Sequence, residues 1–167
     1  FTLRPGVYKI NDKSYDAVYG TLVVAENRSV PNSRLIELPF TWVKSNAPVT
    51  QPPVFLLNGG PGASNLAFSP PDYLLQNHDI VMLGYRGADG SSVLNCPEVR
   101  NALTTDEDIL SQAYLKVIGN AWRTCSNRLQ AEGVDLNGYT ILDVIEDMEL
   151  LRRILGFNQI NLLSASY

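Results

Sequence analysis

The segment Pro53-Val-Phe-Leu-Leu-Asn-Gly-Gly-Pro-Gly62 runs from a short unbroken apolar stretch straight into a bend built of three glycines and a proline. An apolar run without polar alternation suits a strand covered on both faces. The bend that follows is free of most Cβ clashes, and Pro61 fixes its path. Such a loop at the end of a buried strand can aim backbone N–H groups at a negative oxygen. It also serves as a plain tight turn from strand to helix, and both readings stay open on these residues alone.

Two more segments have the same buried-strand character, Asp79-Ile-Val-Met-Leu-Gly-Tyr85 and Gln159-Ile-Asn-Leu-Leu-Ser164. Upstream, residues 19–26 and 35–44 read as strands flanking the turn-forming residues 27–34, so an antiparallel pair is expected. Pro39 inside the second strand points to an edge or a bulge. Between the second and third buried strands the apolar spacing predicts two helices. The first covers residues 106–131, with Ile109, Ala113, Val117, Ala121, Cys125 and Leu129 as its stripe. Thr105 with Asp108 resembles its capping box, and Gly133 its stop. The second covers residues 141–155, capped by Thr140 and Asp143, with Ile141, Val144, Ile145, Met148, Leu151 and Leu155 facing inward. Its acids lie early and Arg152 and Arg153 late, which complements the helix dipole. Strands alternating with helices imply an α/β fold whose sheet is mostly parallel and made mixed by the leading antiparallel hairpin.

The composition is that of a globular chain: 167 residues, 45% hydrophobic and 18% charged. That length is expected to hold one domain. Thirteen Lys and Arg against 17 Asp and Glu leave a net charge of −4. This mild acidity argues against nucleic acid as a partner. No apolar run approaches the ~20 residues of a membrane span. One His and two Cys disfavour a metal site, and no cofactor is expected. The first residue is Phe rather than Met, so the natural start is read as removed, and a signal peptide could have stood there.

Two further segments carry chemistry. The final strand runs into Ser164-Ala165-Ser166-Tyr167, which resembles part of a Gly-x-Ser-x-Gly nucleophile elbow. The alternative is a serine-rich strand end. After the second buried strand, Gly84-Tyr85-Arg86-Gly87-Ala88-Asp89-Gly90-Ser91-Ser92 marks turns, and Arg86 could hold a neighbouring loop through paired hydrogen bonds. That role is structural rather than catalytic. His78 reads as a structural residue at the start of its strand.

Taken in order, Asn-Gly-Gly-Pro-Gly, Tyr-Arg-Gly-x-x-Gly-Ser and Ser-x-Ser-Tyr resemble the α/β-hydrolase superfamily, and within it the proline iminopeptidase and tripeptidyl aminopeptidase group of serine peptidases. The resemblance covers residues 17–167. It implies the N-terminal half of an α/β-hydrolase fold, with residues 1–167 a partial catalytic domain ending at the nucleophile elbow. It matches Ser166 to the nucleophile, and the N–H of Tyr167 with an N–H of Gly59 or Gly60 to the oxyanion hole. Asn58, Arg86 and Gly87 fall on supporting loops. The sequence departs from the group at Gly84, where the group has Asp, and at Ser164, where it has Gly. The acid and His of the group would follow Tyr167, so the chain alone is expected to be inactive, and a second chain carrying the missing half is a candidate partner. The group's secreted members pair two cysteines, which implies a Cys96–Cys125 disulfide and a secreted or periplasmic location; two separate thiols are the alternative. Asn27-Arg28-Ser29 is a glycosylation triplet.

The activity so implied is removal of residues from peptide N-termini through an acyl-enzyme on Ser166. The substrate would be a peptide or a small acyl compound. Ester hydrolysis by the same nucleophile and oxyanion loop, and a non-catalytic binding protein, are the competing readings.

Overall fold

The structure is a computed structural model that describes residues 1–60, 62–103 and 108–166. The chain divides into two compact units, one formed by Phe1–Val93 with Tyr139–Tyr167 and the other by Leu94–Gly138.

The first unit is built on a six-stranded sheet. Its strands are β1 (Thr2–Ile10), β2 (Lys13–Ala25), β3 (Leu35–Val43), β4 (Gln51–Asn58), β5 (His78–Leu83) and β6 (Asn161–Ala165), arranged in the order β1-β2-β3-β5-β4-β6. A two-residue loop at Asn11-Asp12 joins β1 to β2, with Asn11 at φ 52°. Asn tolerates that left-handed conformation better than most residues. Pro5 and Gly6 lie inside β1, which is an edge strand and tolerates a proline's missing donor.

The expected half α/β-hydrolase fold, with a mostly parallel sheet, is corrected here. β1/β2, β2/β3 and β3/β5 pair antiparallel, and only β4/β5 and β4/β6 pair parallel. Strands and helices do not alternate either. Among the described residues the link from β4 to β5 holds two 3-10 turns, Asn65–Ala67 and Asp72–Gln76, instead of an α-helix. Pro70 and Pro71 bar a continuous helix there, because each lacks an N–H and clashes with the preceding turn. Pro39 lies in an interior strand, not at an edge or a bulge. Its carbonyl accepts from Gly84 N–H just beyond the β3/β5 ladder, which ends at Phe40↔Leu83.

Alternation along β4 and β5 feeds two cores. Phe55, Val81 and Leu83 join Leu22, Ile36, Leu38 and Phe40 on one face, covered by Leu151 and Met148 of the helix Ile141–Ile154. Val54, Leu56, Ile80 and Met82 pack on the other face with Leu75 and Phe68. Both faces of β4 and β5 are therefore buried, as their unbroken apolar runs require. β6 differs: it pairs only with β4, and Leu162 is 62% exposed.

The helix Ile141–Ile154 starts on the expected capping box, with Thr140 and Asp143 bonded reciprocally. Its inward stripe is narrower than its apolar residues predict. Leu151 is buried and Met148 partly so, but Ile141 and Ile145 are 68% and 52% exposed. The deepest polar residue on the helix is Asp147, which receives a two-pronged bond from Arg86, Nε to Oδ2 at 2.7 Å and Nη2 to Oδ1 at 2.8 Å. Arg28 bonds the same carboxylate. Arg86 Nη1 also donates to the Glu26 carbonyl at 2.7 Å, so one guanidinium ties the helix to the end of β2.

In the second unit, the short helix Pro97–Ala102 and the long helix Gln112–Ala131 are joined by the Cys96–Cys125 disulfide, with Cα atoms 5.4 Å apart. Arg128 Nε meets Glu98 Oε1 at 2.6 Å and holds the Glu98 carboxyl below its ordinary range. The long helix begins at Gln112 on a Ser111 cap, later than its periodicity predicts; Thr105, expected as part of the cap, lies outside the described residues. Its buried residues are Tyr114, Cys125 and Leu129, while Ile109 and Val117 are exposed. Among the described residues no helix is long and apolar enough to cross a membrane.

Two stability outcomes follow from these contacts. Asp147→Ala removes the two-pronged carboxylate partner of the Arg86 guanidinium, whose side chain is 0% exposed, and urea denaturation should register a loss of about 3–5 kcal/mol, against about 1 kcal/mol for Thr140→Ala. Equal losses for the two variants would refute the buried pair's role. Reducing the disulfide, which spans 29 residues, should cost about 3–4 kcal/mol in the chain-entropy model, read by hydrogen exchange as faster opening of residues 94–138. Unchanged exchange there would refute it.

Candidate active site

The parallel register of β4 and β6 runs from Val54↔Asn161 to Asn58↔Ala165. The two strands therefore stop level with each other, and the residues that follow, Gly59-Gly60 and Ser166, leave the sheet at the same end. Ser166 takes φ 60°, in the left-handed region. A non-glycine residue held there is strained by about 1–2 kcal/mol.

The Gly59 backbone lies directly on this turn. A Cβ on Gly59 would fall 1.9 Å from the Ser166 carbonyl oxygen, 2.1 Å from its carbon and 2.6 Å from the Ala165 oxygen. Only a residue without a side chain fits. Gly60 needs glycine for another reason: its φ is 66°, while the space where a Cβ would stand is open. The bend and Ser166 line one pocket of about 250 Å³, with Tyr85 and Ile141 as its apolar walls. Ser164, which stands where the group has Gly, is exposed on β6; the close approach is at Gly59.

A buried polar network backs the bend. Asn58 N–H donates to Asn65 Oδ1 at 2.9 Å, and Asn58 Nδ2 donates to the Ser64 carbonyl at 3.0 Å, closing the loop at its base. The Asn65 side chain is fully buried. Its Nδ2 donates to the carbonyls of Leu56 and Leu83 at 2.9 and 2.7 Å, bridging the ends of β4 and β5. Asp89 accepts from Ser64 Oγ, Asn65 N–H and Tyr85 N–H. Gly84 is explained by the same carboxylate-bearing residue: a Cβ there would lie 2.7 Å from the Asp89 Cβ. An Asp at position 84 has no room while Asp89 occupies that space.

The other expected residues lie apart from the pocket. Arg86 points into the unit toward Asp147 and the end of β2, and reaches the helix rather than only a loop. Gly87, at φ 83°, sits on the turn after it and bridges to Val93. His78 opens β5, its Nδ1 at 2.8 Å from the Pro52 carbonyl. It pairs with Gln51 at the far end of β4 from Asn58, about 25 Å from Ser166 at roughly 3.3 Å per residue. Tyr167, expected to supply one oxyanion N–H, lies outside the described residues, as does Pro61 of the bend. Cys96 and Cys125 form the disulfide of the second unit.

Asn65 and Asp89 are missed by reading the sequence. Asn65 sits in a Ser-Asn pair that looks like ordinary loop chemistry, and Asp89 in an Asp-Gly pair that marks a turn. Among the described residues no group of three or more His, Cys, Asp or Glu side chains is placed to hold a metal ion. No protein-family model matches the sequence, and no curated protein matches it at a significant level.

Gly59→Ala should displace the end of β6, since the clash is with backbone. Gly60→Ala should cost only its conformational strain, about 1–2 kcal/mol. In amide NMR spectra the Ala165 and Ser166 resonances should move strongly in the first variant and little in the second. The reverse order would refute the packing of the bend on Ser166.

Proposed function

We propose that this chain carries the nucleophile and the oxyanion-binding bend of a serine hydrolase. Ser166 Oγ would attack a substrate carbonyl, the amine or alcohol would leave, and water would release the acyl group from Ser166. The observation that carries the reading is the juxtaposition of a serine held at φ 60° with the Gly59-Gly60 backbone on one pocket. An oxyanion-hole donor is worth about 3–4 kcal/mol in reactions of this kind, so a rigid bend beside the serine has a chemical use.

The substrate class we favour is the peptide N-terminus, because the order of motifs resembles the proline iminopeptidase and tripeptidyl aminopeptidase group. One observation favours the ester alternative. Among the described residues the pocket is walled by Tyr85 and Ile141 and has no carboxylate to receive an α-ammonium. A peptidase would take that carboxylate from elsewhere. The general base must also come from elsewhere, since His78 sits at the opposite end of β4 and β5. A second chain or a segment outside residues 1–167 would supply it. The disulfide supports an oxidising compartment, and with it a secreted or periplasmic location.

A fluorophosphonate probe on the intact protein tests the reading. Labelling is expected at Ser166 and should vanish in Ser166→Ala. An unlabelled wild type would overturn the proposal and leave the non-catalytic reading. Aminoacyl-arylamides should be turned over faster than short acyl esters; the opposite preference would favour the ester alternative.

A further inference from the structure

The carboxylate of Asp89 is 8% exposed as a residue and faces donors on three sides. Tyr85 N–H reaches Oδ2 at 2.9 Å, Asn65 N–H reaches Oδ2 at 3.2 Å, and Ser64 Oγ reaches Oδ1 at 2.5 Å. A carboxylate is acceptor-only, so it matches three donors without leaving a lone N–H or O–H. Two of those donors belong to the segment that closes the glycine bend. Asn65 then fixes the bend from its base: its Oδ1 takes the Asn58 N–H, and its Nδ2 spans the Leu56 carbonyl of β4 and the Leu83 carbonyl at the end of β5. The chain of contacts runs without a gap from Asp89 through Asn65 to Asn58, the residue before Gly59. Gly59 and Gly60 have no side chains of their own with which to anchor themselves, so their direction depends on these flanking bonds together with the Ala63 N–H bond to the Gly60 carbonyl at 3.0 Å.

We infer that Asp89 is a positioning residue, acting through Ser64 and Asn65 to hold the Gly59-Gly60 amides toward the point where an oxyanion forms beside Ser166. This rests on the acyl-transfer reading. Asp89 touches no reacting atom. Its effect is geometric, and it belongs to the transition state rather than to ground-state binding, because the amides meet full negative charge only there. The removal of Asp89 takes away the acceptor these three donors share and lets the bend turn. An Asn at 89 keeps an acceptor for the two backbone N–H groups, and the Ser64 hydroxyl can rotate to accept from its amide.

The test uses Asp89→Ala, Asp89→Asn and Ser64→Ala in the intact protein, with fluorophosphonate labelling of Ser166, turnover of an activated acyl ester, and amide NMR of Gly59 and Gly60. Asp89→Ala should lower the labelling rate and kcat by about 100-fold with KM unchanged, and Asp89→Asn should restore both to within about 10-fold of wild type. A labelling rate within about 3-fold of wild type in Asp89→Ala, or a loss carried wholly by KM, overturns the inference. If Asp89→Ala does not fold, Ser64→Ala carries the test: kcat should fall by about 10-fold at constant KM, and a wild-type kcat overturns it. If wild type itself is not labelled, the acyl-transfer reading fails. The Gly59 and Gly60 resonances then decide the positioning separately: displacement in Ser64→Ala upholds it, and unmoved resonances overturn it.

Discussion

Two parallel strands that end level with each other must release their chains side by side. β4 and β6 are held in that state by an uninterrupted register ending at Asn58↔Ala165. A slip by one residue would turn every β6 side chain to the opposite face and carry Ser166 away from the glycine bend. Position along the sheet thus sets what can meet at its end. The bend then needs a residue without a Cβ at 59, because the carbonyl of Ser166 occupies the space.

Away from that end, charge does the work that apolar packing does elsewhere. The helix Ile141–Ile154 presents few buried apolar side chains to the sheet, and several of its large aliphatic residues remain exposed. Its anchorage leans on Asp147, received by a guanidinium that also bonds the carbonyl chain at the end of β2. Such a pair gains little over a well-packed apolar contact, yet its bidentate geometry admits one orientation of the helix, and breaking it leaves a buried charge. Glu26 is set similarly at the β2 end, between Arg34 and Tyr139.

Much of the strand inventory was legible from composition. The unbroken runs at residues 54–57 and 80–83 belong to strands with both faces covered, and those strands are indeed central. The Thr140–Asp143 box starts its helix as written, since capping depends on residues within one turn. The antiparallel pairing of β2 with β3 was legible from the turn residues between them, but the direction of β3 against β5 was not. Nothing local in β3 tells it to lie antiparallel to β5, because that choice is made by contacts distant in the sequence. Helix stripes failed for a related reason: Ile141 and Ile145 have the right spacing, but the sheet offers them no partner. At the site, the small residues and the strained serine could be recognised by their types. Asn65 and Asp89 could not, since a buried amide and carboxylate look like turn formers until their partners are in place.

Ser166 carries one last implication through its backbone angle. Glycine would relax the left-handed conformation, and serine holds it at an energetic disadvantage that, on the acyl-transfer reading proposed above, its hydroxyl offsets. Selection for thermal robustness alone would therefore push this position toward glycine, while selection for chemistry would hold it back. The opposing pressures meet on a single atom, Oγ, and any gain in robustness obtained at residue 166 forfeits it.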